Sequence, residues 1–148
     1  MTIRGVMMPK HKVATMCEKQ TRIIHCNLLI KEIASYGCRF FYHDGDISVL
    51  ILTTSGHVYL FDKNTKELID THNTQGTWPG FSNTGTLHRL VCSMRDYVIS
   101  GEHLNIKAIC DTSFYTDGGN VWGYEPDEAE KLIEAVRNNP IFGSIDNE

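Results

Sequence analysis

Between Trp78 and Arg89 the chain reads Trp-Pro-Gly-Phe-Ser-Asn-Thr-Gly-Thr-Leu-His-Arg. This glycine- and hydroxyl-rich stretch runs into an apolar periodicity that predicts a helix. A loop entering a helix presents unpaired backbone N–H groups and the positive end of the helix dipole, a setting suited to an anion. Ser82, Thr84 or Thr86 could cap that helix, and Gly80 and Gly85 let a ligand come close to the backbone. His88 and Arg89, in its first turns, add cationic hydrogen-bond donors for a phosphate. Trp78 and Phe81 on one side, and Trp122 and Tyr124 in a later loop, offer an apolar stacking wall. Together these residues describe a candidate site for a phosphorylated ligand of nucleotide type. The plainer reading is an ordinary capped helix start.

Other chemistries are less well served. Gly80 to Gly85 is not followed by lysine and a hydroxyl residue, as the phosphate loop of nucleotide hydrolases requires. His72-Asn73-Thr74 supplies half of the paired His-x-Thr arrangement of two-histidine phosphoesterases, in which one imidazole acts as base and the other as acid. No second copy occurs among the seven histidines. No histidine or cysteine pair has zinc spacing, and Asp44-Gly45-Asp46 reads as a hairpin turn lacking the other ligands of a calcium loop. Neither a metal nor a cofactor is therefore expected. Cys92 follows His88 by four residues, the spacing of a nucleophile and its base on one helix face, yet it also borders the apolar stripe. Burial in the core is the expectation for Cys92 and for Cys26.

Composition narrows the classes further. The chain has 148 residues and 41% hydrophobic content, enough for a single core. A net charge of -4 argues against a general nucleic-acid coat, though not against a local basic patch. No apolar run is long enough for a bilayer span, and no signal-peptide pattern opens the chain. Five scattered cysteines are an odd number for a disulfide framework, which points to a reducing cytoplasm.

The elements that must position these residues follow from periodicity. Residues 1–14 read as an arm, and 15–148 as one α+β domain. Ile23, Asn27, Ile30, Ile33 and Ala34 recur at helical spacing over Thr15 to Tyr36, with Gly37 as the expected left-handed cap. From Cys38 to His72 the pattern becomes that of strands, with turns at His43–Asp46, Thr54–Gly56 and Lys63–Lys66. Links this short make antiparallel neighbours, hence a three- to four-stranded meander covered by about three helices. Leu87, Leu90, Val91, Met94 and Val98 mark the second helix, which ends at Ser100-Gly101. Ile106 to Cys110 suggests a short strand and Asp117 to Asn120 a turn. The third helix starts at Glu125-Pro126, carries Leu132, Ile133 and Val136 on its apolar side, and ends at Asn138-Asn139-Pro140.

The series Arg39-Phe40-Phe41, Tyr59-Leu60-Phe61-Asp62, Gly80-Phe81-Ser82, Gly85-Thr86-Leu87 and Trp122-Gly123-Tyr124 resembles a family of small α+β proteins of tailed-phage genomes. The resemblance spans Ile23 to Ile141 and attaches no catalytic residue. It implies a bacterial host cytoplasm and interference with a host process such as defence. The expectation is a non-enzymatic, homo-oligomeric binding protein that sequesters a nucleotide or nucleotide-derived signal. The alternatives are an inhibitor of a host enzyme, and an enzyme on a phosphorylated small molecule with His72 or His88 as acid or base.

Overall fold

The computed structural model describes residues 14–36, 40–73, 78–79, 81, 86–106 and 126–143. Helix α1 (Met16–Ser35) begins where the sequence supplies a reciprocal cap. Thr15 Oγ1 accepts the Glu18 amide at 3.1 Å, and Glu18 Oε1 accepts the Thr15 amide at 2.8 Å. It ends at Tyr36, whose backbone is extended, while Gly37 lies outside the described residues. Cys26, Leu29, Ile30, Ile33 and Ala34 form its buried stripe.

The strand region forms an antiparallel meander, as expected, but it is broken into two sheets. Strands β1 (Tyr42–His43) and β2 (Asp46–Ile47) make a small hairpin. Positive φ at both Asp44 (51°) and Gly45 (84°) gives this turn the twist that tight hairpins prefer. Strands β3 (Val49–Leu52), β4 (Val58–Asp62) and β5 (Glu67–Asp70) form the second sheet, in that order. The break falls at Ser48, which is buried and turns its polar groups elsewhere. Its amide donates to the Phe41 carbonyl, and its hydroxyl accepts the Lys63 amide and approaches Asp62 at 3.4 Å.

Alternation along β3 to β5 sends Leu50, Val58, Leu60 and Ile69 into the core. Helix α1 is the hub. It packs on β2, β3, α2 (Thr86–Ser100), α3 (Pro126–Val136) and the 3-10 turn Pro140–Phe142. Helix α2 contributes Leu90, Val91, Met94, Tyr97 and Val98 to the core, and α3 contributes Ala129, Leu132 and Val136. Polar side chains fasten these contacts. His25 Nδ1 lies 2.6 Å from the Tyr97 hydroxyl, and Asn139 donates from its amide to the His25 carbonyl at 3.0 Å. The expected short strand at Ile106–Cys110 and turn at Asp117–Asn120 lie largely or wholly outside the described residues.

Candidate functional site at the start of α2

Helix α2 begins at Thr86, which places His88 and Arg89 in its first turn or two. Successive helical residues point about 100° apart, and these two part company. Arg89 is exposed, whereas His88 is only 6% exposed. The His88 ring lies on that of Trp78, with centroids 4.1 Å apart, and its Nδ1 is 3.9 Å from the Cys92 sulfur. Its Nε2 is buried and has no hydrogen-bond partner among the described residues. A buried polar atom left without a partner costs on the order of 1–3 kcal/mol, so it calls for a physical reason.

Cys92 is only partly buried, at the border of the core, and that desolvation, opposed by Arg95 and aided by Asp96, pushes its thiol up, away from the low pKa of an activated cysteine. A thiol that donates to His88 Nδ1 leaves the imidazole proton on Nε2. Taken in that sense, the contact makes the orphan an N–H donor that lacks an acceptor among the described residues.

Trp78 departs from its expected part as an accessible stacking wall. It is 3% exposed and belongs to the core. Its indole N–H donates to the Asn73 carbonyl at 2.7 Å, and Phe81 meets its ring edge-on at 5.7 Å. Both ring neighbours are protein, so it serves as the platform under His88. Phe81 itself is half-buried. Ser82, Thr84, Gly85, Trp122 and Tyr124 lie outside the described residues, as does the side chain of Thr86.

A second polar cluster was not assembled from the sequence. His57, Tyr59 and Phe61 share the outward face of the sheet with Leu68, Asp70 and His72. His57 Nε2 lies 2.6 Å from Asp70 Oδ1, which also accepts the His72 amide at 2.9 Å. The two imidazoles stack with centroids 4.0 Å apart. His72 Nε2 accepts the Val58 amide at 3.2 Å, so that ring is held neutral with its proton on Nδ1. Partial desolvation, then the charges of His57 and Arg95, lower the His72 pKa. Desolvation raises Asp70, but hydrogen bonds from His57 and the His72 amide outweigh it, and the net direction is down. Arg95 ties this end of the sheet to α2 by donating to the Thr71 carbonyl while pairing with Asp96. The signal was present in the register. A tight turn after Asp62 that pairs Tyr59 with Asp70 sets His57 opposite His72.

Among the described residues no group of three or more His, Cys, Asp or Glu is placed to hold a metal ion. Among them, too, no helix is long and apolar enough to cross a membrane.

The family model YoqU matches residues 17–147, nearly the whole of this α+β domain. The chain belongs to the YoqU family. The match is consistent with a small phage protein family, in keeping with the resemblance carried by the short motifs. Neither the curated proteins nor the solved structures contain a significant match to this YoqU-family chain.

Proposed function

We propose that this YoqU-family chain is a non-enzymatic phage protein that captures a nucleotide or nucleotide-derived signal at the start of α2, in the host cytoplasm, and so counters a host defence response. One observation carries the reading: His88 Nε2 is buried at the third residue of α2 without a partner among the described residues. A ligand oxygen is the acceptor this N–H lacks. The helix start attracts the ligand's negative charge, and Arg89, which has no ion pair among the described residues, adds a guanidinium from the exposed side. With the Cys92 pKa raised, no activated nucleophile stands at the site among the described residues, which favours holding a ligand over turning it over.

Calorimetric titration with adenine nucleotides, cyclic dinucleotides and ADP-ribose derivatives tests this. At least one should bind and be recovered chemically unchanged, with affinity falling about tenfold or more in His88→Ala, the loss expected for a buried hydrogen bond to a charged group. Absence of heat with every member of the panel would overturn the proposal. Light scattering of the same samples tests the accompanying homo-oligomer.

One observation favours a second reading, an inhibitor that binds a host enzyme. Ile24 and Leu28 on α1 are 58% and 52% exposed, and Leu68 on the outward sheet face is 57% exposed. Such apolar side chains at a surface are what a protein partner would cover. Recovery of one host enzyme by the wild type, lost in Leu68→Glu and kept in His88→Ala, would establish it.

A further inference from the structure

At the far end of α2 the chain turns at Gly101 and runs out along the 3-10 turn. The Leu104 amide donates to the Ile141 carbonyl at 2.9 Å, which pins the two segments side by side. His103 Nδ1 lies 3.1 Å from the Pro140 carbonyl. A carbonyl only accepts, so Nδ1 carries the proton there. The imidazole also rests against Gly143, where a β-carbon would come within 3.4 Å of its ring and where φ is +80°. These contacts fix one wall of a half-open cleft of about 760 Å³. That volume is in the range of ordinary small-molecule sites, roughly 300–1,000 Å³.

The lining divides by chemistry. Leu104, Ile106, Ile133 and Phe142 supply an apolar floor, while His103, Asn105 and Arg137 stand at the polar side. Among the described residues no acidic side chain lines the cleft. Arg137 spends one Nη1 donor on Glu134 at 2.8 Å, and the pair is half exposed, which leaves the rest of the guanidinium fork for another acceptor.

We propose that this cleft binds a small amphiphilic anion, its aliphatic or aromatic body on the Leu104–Ile133–Phe142 floor and its carboxylate or phosphate monoester head on Arg137. The site is separate from the one at His88, because a helix of 15 residues sets its two ends about 20 Å apart. The shared requirement is one anionic head on a short apolar body.

Amide NMR titration of the full chain with octanoate and with phenyl phosphate tests the proposal and separates the two kinds of head. Saturable shifts are expected for at least one probe, centred on Leu104, Ile133 and Phe142. Arg137→Gln should weaken binding about tenfold, the scale of one charge-assisted contact. Ile133→Trp, which fills the cleft, should abolish binding while circular dichroism shows the fold intact. His88→Ala should leave both probes unaffected, so failure here is distinct from failure of the nucleotide site. Absence of saturable shifts with both probes at about 10 mM, a concentration that detects even weak sites, would overturn the inference. So would binding that survives both Arg137→Gln and Ile133→Trp.

Discussion

Asn27 of α1 holds the backbone of Leu50 by both of its hydrogen-bonding groups. The Asn27 amide donates to the Leu50 carbonyl at 3.0 Å, and its side-chain oxygen accepts the Leu50 amide at 2.7 Å. Leu50 sits on β3, an edge strand whose outward backbone groups would otherwise face no partner. A helix side chain thus stands in for a missing strand, and it explains an amide in the middle of a helix beside the apolar stripe.

Asn27→Leu keeps the size and raises the hydrophobicity, yet it leaves two partly buried backbone groups unpaired. A loss of about 2–4 kcal/mol is expected, on a cost of roughly 1–3 kcal/mol for such a group. Urea unfolding followed by circular dichroism measures it. A variant as stable as the wild type would show that the paired contact does not secure the β3 edge.

Gly101 and Gly45 separate backbone strain from crowding. Both have left-handed φ, +82° and +84°, but a β-carbon at Gly45 meets open space whereas one at Gly101 comes 2.9 Å from Arg22 Nη2. Arg22 also reaches the Val98 carbonyl at 3.4 Å. Gly45→Ala should cost about 1 kcal/mol from φ alone, and Gly101→Ala about 2 kcal/mol because Arg22 must also move. Equal costs in thermal melts would remove Arg22 from the explanation.

The stacked histidines set a direction for pH. The His72 pKa is lowered in the folded chain, so as pH falls below about 6.5 the unfolded chain takes up a proton before the native one does. Stability at this site is therefore full at and above neutrality and declines on acidification. The lowered pKa of Asp70 adds stability that persists to about pH 4 and is lost below it. His25, lowered by burial and by Arg22, declines over the same range as His72. The urea midpoint of His72→Gln should fall less than that of the wild type between pH 7.5 and pH 5.5, a range of about 2 units around the histidine value. An unchanged difference would show that His72 titrates as it does in the unfolded chain.

Much of the architecture was legible before any coordinates. Helical spacing over Thr15 to Tyr36 marked α1, the Asp44-Gly45 pair marked a hairpin, and short links marked antiparallel neighbours. These are local signals, each fixed by residues a few positions apart. The break at Ser48 was not legible, because an apolar run from Ile47 to Thr53 conceals one buried serine whose hydroxyl finds its partners at Asp62 and Lys63 and whose amide finds its own at Phe41. At the site, the helix start was readable from its apolar spacing. The inward turn of His88 onto Trp78 was not, since which side of a first helical turn faces the core depends on tertiary packing. The spacing of His88 and Cys92 suggested a base beside a nucleophile, but partial burial pushes the thiol up rather than down.

His88→Leu separates function from stability. Leucine approximates the imidazole in volume and removes the orphan nitrogen, so the free protein should be as stable as the wild type or about 1 kcal/mol more stable. Nucleotide binding should be lost. Destabilisation beyond about 2 kcal/mol would mean that His88 Nε2 already has a partner in the free protein.

The most direct measurement is two-dimensional proton–nitrogen NMR of the histidine side chains, with and without the bound member of the nucleotide panel. Free protein should show His88 as the neutral tautomer with its proton on Nε2, and ligand should move that nitrogen more than those of His57 or His72. A ligand that binds while the His88 nitrogens stay where they were, or a free-state spectrum with the proton on Nδ1, would contradict the account.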